Sequence, residues 1–432
     1  MAPSSLVSID SPKMKTGMMI MSVGTVVAQT VPTVHIPLNL RNGPNHKTST
    51  DVFIPSLNTT LEVVYDQGSE NFFVFGPDSI ANWGRTCLGC QGPCNASVPA
   101  GDYLNYPSSS TASKPVPFSS FYAYGGLDKI YLGDVAINET FNFINNAGQS
   151  TKSPDTTVAI VDYLQQRLGD DGDCSPTPIY DLGILGVSPY YHSNNETGRN
   201  TTGPSFRQDL LERGLISAPV QSLWFDEAPS DVLGTYTGGG LQGGIDTSKY
   251  DGPLVKVPNT WTQGRVGYYV PAPKLSSNGI PIATGSASGD APDCLVDSGT
   301  HNDDIPVADE AAFFNATGIR RSPAGHVSWP GTCDSIPADK TVDYTFDGVN
   351  EGESITIKVP IRSYVRFTLD SDTEAGYCFL SLEPSGCILG SPFATAAFFA
   401  ADDERGEIAF AKGAVSKAGT AVDEASVIAR IP

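Results

Sequence analysis

Val63-Val64-Tyr65-Asp66-Gln67-Gly68-Ser69 and Cys294-Leu295-Val296-Asp297-Ser298-Gly299-Thr300 are two copies of one short pattern. In each, apolar residues run into an Asp, followed by one polar residue, a Gly and a hydroxyl. Each copy is answered downstream by an apolar-apolar-Gly partner, Ile184-Leu185-Gly186 for the first and Ile388-Leu389-Gly390 for the second. A pattern that returns in both halves of a chain is the mark of a duplicated unit. Duplication here supplies two carboxylates of the same local design, able to face each other across a pseudo-twofold axis.

At 432 residues the chain is long enough for two lobes, each with its own core. Apolar residues make up 40%, an ordinary globular share, so disorder is not expected. Lys and Arg number 26 against 47 Asp and Glu, for a net charge of −21. That excess disfavours nucleic acid as a partner and suits acidic surroundings, although a solvated surface reads the same way. Lys13 and Lys15 precede Met18-Met19-Ile20-Met21 and Val26-Val27-Ala28, a signal-like pattern inside an N-terminal segment of residues 1–34. This run is too short for a membrane span, and no other stretch qualifies. Sequons stand at Asn58, Asn95, Asn138, Asn195, Asn200 and Asn315. Together with eight Cys they point to a glycoprotein that is secreted or held in the secretory lumen.

The even cysteine count allows up to four disulfides and leaves their connectivity open. Cys87-x-x-Cys90-x-x-x-Cys94 is expected to be a stapled loop, because no second ligand pair follows at zinc-binding spacing. The five His are scattered, so neither a metal nor a cofactor is expected.

Apolar and polar positions alternate through residues 32–76, which is strand and hairpin material. Residues 77–120 read as loop, and Phe121 to Leu132 as a hairpin tipped by Gly125-Gly126. Residues 145–178 and 189–204 read as surface insertions. A helix is predicted from Ser205-Phe206 to Arg213, stopped by Gly214, and another over Pro306 to Phe314. The run Thr237-Gly238-Gly239-Gly240-Leu241-Gln242-Gly243-Gly244 has no Gly-Lys-Ser/Thr after it, so hairpin turns are expected rather than a phosphate loop. Short strands dominate, and the fold class is mostly β with a few short helices.

The two Asp-x-Gly-Ser/Thr copies with their Ile-Leu-Gly partners resemble the pepsin-like aspartic peptidases, as a divergent, fungal-type member. The resemblance runs from about His35 to Lys412 and includes Gly243-Gly244-Ile245-Asp246 and Cys387-Ile388-Leu389-Gly390-Ser391-Pro392-Phe393. It implies a bilobal fold, with lobes over residues 35–220 and 221–425 and a cleft between them. By resemblance Asp66 and Asp297 are the catalytic pair, supported by Gly68, Ser69, Gly299 and Thr300. Tyr124, with Gly125 and Gly126, would cover substrate, and Cys333 would pair with Cys378. The implied protein is a secreted, monomeric endopeptidase acting at acid pH, with a peptide or protein substrate in the cleft. The chemistry needs no cofactor: two carboxylates in contact share one proton, as is general for such enzymes, so one activates water while the other polarises the carbonyl.

Departures from the family pattern open a second reading, in which a degenerate cleft binds a protein as an inhibitor or acts on a small molecule. Gln67 stands where a Thr usually ties the two loops together. Phe73 replaces a Trp and has no N–H to offer the flap. The flap is shortened at Tyr124-Gly125-Gly126-Leu127-Asp128, and His301-Asn302-Asp303-Asp304 brings extra acids near the second Asp. The signal-like segment occupies most of residues 1–34, so no basic autoinhibitory segment is expected there.

Overall fold

The computed structural model describes residues 31–432, except 43–45, 85–89, 125–128, 145–149, 167–173, 175–182, 190–203, 263–264, 286–291 and 366–375. Gly125, Gly126, Asn195 and Asn200 fall outside the described residues, as does the segment up to residue 30.

Strand Thr59–Asp66 ends on the first aspartate, and Phe72–Trp83 follows it. Phe72, Phe73, Val74 and Phe75 are all buried. Side chains alternate across a strand, so Phe72 and Val74 enter one apolar cluster while Phe73 and Phe75 enter another. A strand covered on both faces loses its polar alternation, which is why this one reads as a continuous aromatic run. Strand Gly183–Gly186 lies between the two, parallel to Thr59–Asp66 and antiparallel to Phe72–Trp83.

These strands belong to a 14-stranded sheet that runs through both halves of the chain. Its link is Val34–Leu40, paired antiparallel with Tyr236–Gln242 on one side and Thr48–Ile54 on the other. Beyond Tyr236–Gln242 come Val220–Phe225, Ala397–Asp402, Glu407–Lys412 and Asp251–Val257. The second aspartate belongs to a separate five-stranded sheet, where Cys294–Val296 lies between Tyr268–Val270 and Ile388–Leu389. The fold is mostly β and bilobal, with three α-helices among the described residues.

Several sequence expectations need correcting. Of the glycine run, Gly238 to Gly240 form no turn but lie inside strand Tyr236–Gln242, whereas Gly243, at φ 90°, bends the chain before Ile245–Asp246. A Cβ there would stand 2.2 Å from the Trp224 carbonyl at Gly238 and 2.5 Å from the Tyr65 hydroxyl at Gly240. Close approach, not turning, selects glycine. Residues 150–166 are no insertion but a 17-residue strand, because Val158 to Val161 supply a buried apolar stretch within polar flanks. Residues 77–120 include the rest of Phe72–Trp83, Cys94–Ser97 and the start of Val116–Tyr124. The first helix, Phe206–Glu212, is capped by the Ser205 side chain accepting from the Gln208 amide. The second is displaced to Glu310–Thr317, because Asp309 caps it at the Ala312 amide and Gly318, at φ 81°, ends it.

Disulfides join Cys94 to Cys174, Cys294 to Cys387 and Cys333 to Cys378, and Cys90 is also disulfide-bonded. Cys94 therefore ties its loop to a site 80 residues away rather than within the cysteine cluster.

Candidate active site

The two aspartates meet at the ends of their strands, each held the same way. The Gly68 amide donates to Asp66 Oδ1 at 2.8 Å and the Ser69 hydroxyl to Oδ2 at 2.5 Å. The Gly299 amide donates to Asp297 Oδ1 at 2.9 Å and the Thr300 hydroxyl to Oδ2 at 2.7 Å. Each glycine also lies against the opposite carboxylate. A Cβ on Gly68 would stand 2.7 Å from Asp297 Cγ, and one on Gly299 would stand 2.5 Å from Asp66 Oδ1. The Ile-Leu-Gly glycines serve the same closeness from outside, since a Cβ on Gly186 would meet the Asn71 amide at 2.5 Å and one on Gly390 the Asn302 carbonyl at 2.1 Å.

The loops are also tied to each other, by a residue the sequence reading passed over. Ser298 Oγ accepts from the Gln67 amide at 3.2 Å and donates to the Tyr65 carbonyl at 2.7 Å. Ser391 extends the link, donating to the Ser298 carbonyl at 2.8 Å and accepting from the Thr48 amide at 3.0 Å. Ser298 occupies the same place in the second copy as Gln67 in the first, which is the signal that could have found it. Gln67 does not return the bond: its side chain is buried and its Nε2 has no hydrogen-bond partner.

Strands Val116–Tyr124 and Lys129–Ile144 form a hairpin, with Tyr124 opposite Lys129. Phe73 stacks on Tyr122 at 4.9 Å, and Tyr124 packs edge-on to Tyr131 at 5.7 Å. Phe73 offers Tyr124 no indole N–H, only a ring 6.3 Å away, and burial followed by the Asp66 carboxylate raises the Tyr124 pKa well above the usual phenol value.

Asp66 is 4% exposed, and its pKa is raised well above the carboxylate value by burial, then by the neighbouring Asp297 carboxylate.

Asp303 does not join the pair. It is fully buried in the second half, accepting from the Gly390 amide at 2.8 Å, the Phe393 amide at 3.2 Å and the Tyr344 hydroxyl at 3.0 Å. Burial raises its pKa to about 7, against those bonds. The native state therefore binds a proton that the unfolded chain releases near its ordinary value of 3.8. This contribution is fully present below that value and is lost as pH rises toward 7. His35, half-buried and lowered to about 4 by desolvation, works in the opposite direction below its ordinary 6.5. Asp303→Asn keeps the acceptor for both amides and removes the titration. Its melting temperature is expected to fall less steeply than the wild type's between pH 4 and pH 7, and equal slopes would refute the assignment.

Among the described residues no group of three or more His, Cys, Asp or Glu is arranged to hold a metal ion. No helix among them is long and apolar enough to cross a membrane. Asn58, Asn95, Asn138 and Asn315 are all exposed. A buried network around Arg207, Gln221, Gln242, Tyr268 and Asp403 lies behind the aspartates and was not anticipated, since its members are scattered through the sequence.

Two lobes, each running a strand into an aspartate beside a parallel strand that holds an Ile-Leu pair, define the pepsin-like fold. The profile of the eukaryotic aspartyl protease family matches residues 49–413, and the chain belongs to that family. Relatives include a protein named probable aspartic-type endopeptidase opsB of Aspergillus oryzae, 25% identical over 369 residues, which are 82% of this chain and 65% of the relative. Candidapepsin-3 of Candida albicans is 26% identical over 374 residues, 84% of this chain and 79% of its own length. Pepsin B of Canis lupus familiaris is 28% identical over 206 residues, 46% of this chain and 44% of its own length. The chain thus spans 65% of the length of the opsB relatives of Aspergillus oryzae and Aspergillus fumigatus.

Proposed function

We propose that the chain is a secreted, glycosylated aspartic-type endopeptidase that cleaves peptide bonds at acid pH, with Asp66 and Asp297 as the catalytic pair. The observation that carries this reading is the reciprocal fit of the two loops, each glycine against the opposite carboxylate, with both outer oxygens accepting hydroxyl bonds. Such a pair needs one proton to work. The ionised member takes a proton from water as it attacks the carbonyl, and the protonated member donates to the carbonyl oxygen. Losing the shared proton at higher pH removes the donor, so activity falls toward neutrality. Tyr124 covers substrate from the hairpin, and lobes of residues 35–220 and 221–425 form the cleft walls. The names of the opsB and candidapepsin relatives support the activity, and a relative named secreted aspartic protease 3 supports secretion. Exposure of the four described sequons is compatible with glycans.

The test is hydrolysis of an unfolded protein from acid to neutral pH, with products read by mass spectrometry. Asp297→Asn is expected to lower the rate by about 10²–10⁴-fold, the usual weight of a positioned acid or base. A folded wild-type chain that cuts nothing would overturn the reading and turn attention to ligands of the cleft.

A further inference from the structure

We propose that Arg207 is a positioning residue for both aspartates, acting through a buried polar network that joins the backbone of Asp66 to the strand that leads into Asp297. The proposal rests on the peptidase reading above. Arg207 is 4% exposed and sits in the first turn of helix Phe206–Glu212. Its guanidinium donates to the Val187 carbonyl at 3.2 Å, and the Val187 amide donates to the Asp66 carbonyl at 2.8 Å. The same guanidinium reaches the Tyr268 hydroxyl at 2.9 Å. Tyr268 is paired in register with Val296, the residue before Asp297. One side chain therefore touches the supports of both aspartates.

The rest of the network fixes that side chain. Asp403 neutralises the buried cation at 2.6 Å and accepts from the Tyr268 hydroxyl at 2.9 Å. Gln221 donates to both the Val187 carbonyl, at 2.7 Å, and the Tyr268 hydroxyl, at 2.5 Å. Gln242 accepts from Arg207 Nε at 3.0 Å and donates to the Tyr65 hydroxyl at 2.9 Å, on the residue before Asp66. Only a guanidinium can bond in these directions at once; an ammonium at the same place keeps the charge but loses the fork.

The network thus sets the separation of the carboxylates. If it slackens, the two charges lie farther apart and their shared proton is held less tightly. Arg207→Lys and Tyr268→Phe are compared with wild type in kinetics, thermal melting and infrared titration of the carboxyl groups, with Asp66→Asn used to assign the bands. Arg207→Lys is expected to lower kcat about tenfold or more while KM stays within about twofold, the pattern of a lost transition-state alignment. In both variants the upper titration step of the pair is expected to move at least about one pH unit toward the ordinary carboxylate value. Should Arg207→Lys fail to fold, Tyr268→Phe, which removes a single oxygen, decides the matter. Variants that melt earlier but keep the wild-type kcat and titration would reduce the network to structural support and overturn the proposal. If the wild type cleaves nothing, the peptidase reading fails, and the titration alone decides the positioning claim.

Discussion

Gly299→Ala is expected to cost at least about 10²-fold in kcat, the price of moving a reacting group by roughly 1 Å. The added methyl would stand 2.5 Å from Asp66 Oδ1 and 2.7 Å from its Cγ. Asp66 cannot rotate out of the way, because the Gly68 amide and the Ser69 hydroxyl hold both its oxygens. Gly299 does not sit at positive φ, so the conflict is with the carboxylate rather than the backbone. Gly68→Ala makes the reciprocal test, pressing on Asp297 Cγ at 2.7 Å. Stability should fall by only about 1–3 kcal/mol, as for other overpacked sites. A folded Gly299→Ala chain with wild-type kcat would show that the close approach is irrelevant to the reaction.

The second large effect is expected from Cys294→Ala combined with Cys387→Ala. The bond lies between neighbouring parallel strands, one leading into Asp297 and the other into Gly390, and it closes a separation of 93 residues. Both cysteines are buried. Alanine avoids leaving an unpaired hydroxyl there, so the change reports the crosslink and the lost sulfur volume. Loss of a native disulfide from a secreted domain costs about 2–5 kcal/mol. Calorimetry should show a lower melting temperature, and activity should fall even well below it, because the strand register beside Asp297 is no longer covalently held. Unchanged melting would mean that the ladder bonds alone set this register.

How much of this was legible follows from how local each signal is. The two Asp-x-Gly copies are local, since the glycine demanded by the opposite carboxylate sits two residues after each Asp. The helix at Phe206–Glu212 was equally readable, from its Ser205 cap to Gly214. Asp303 was not: its neighbours suggested an extra acid near the second Asp, whereas it accepts from amides that lie 87 and 90 residues away. Gly238 to Gly240 misled because the atoms that exclude a Cβ come from Trp224 and Tyr65, which no window of sequence places beside them. Arg207 was hidden for the same reason. A lone charge in a helix looks like surface until partners at 187, 242, 268 and 403 converge on it.

The glycine strand also has a mechanical meaning. Tyr236–Gln242 and Val34–Leu40 are stitched at seven successive positions. The ladder runs unbroken between the two halves of the chain, yet of the two aspartates only Asp66 ends a strand of this sheet, while Asp297 follows a strand of the separate five-stranded sheet. The two carboxylates are thus joined across sheets, by the Ser298 bonds to the Tyr65 carbonyl and the Gln67 amide, rather than along one ladder.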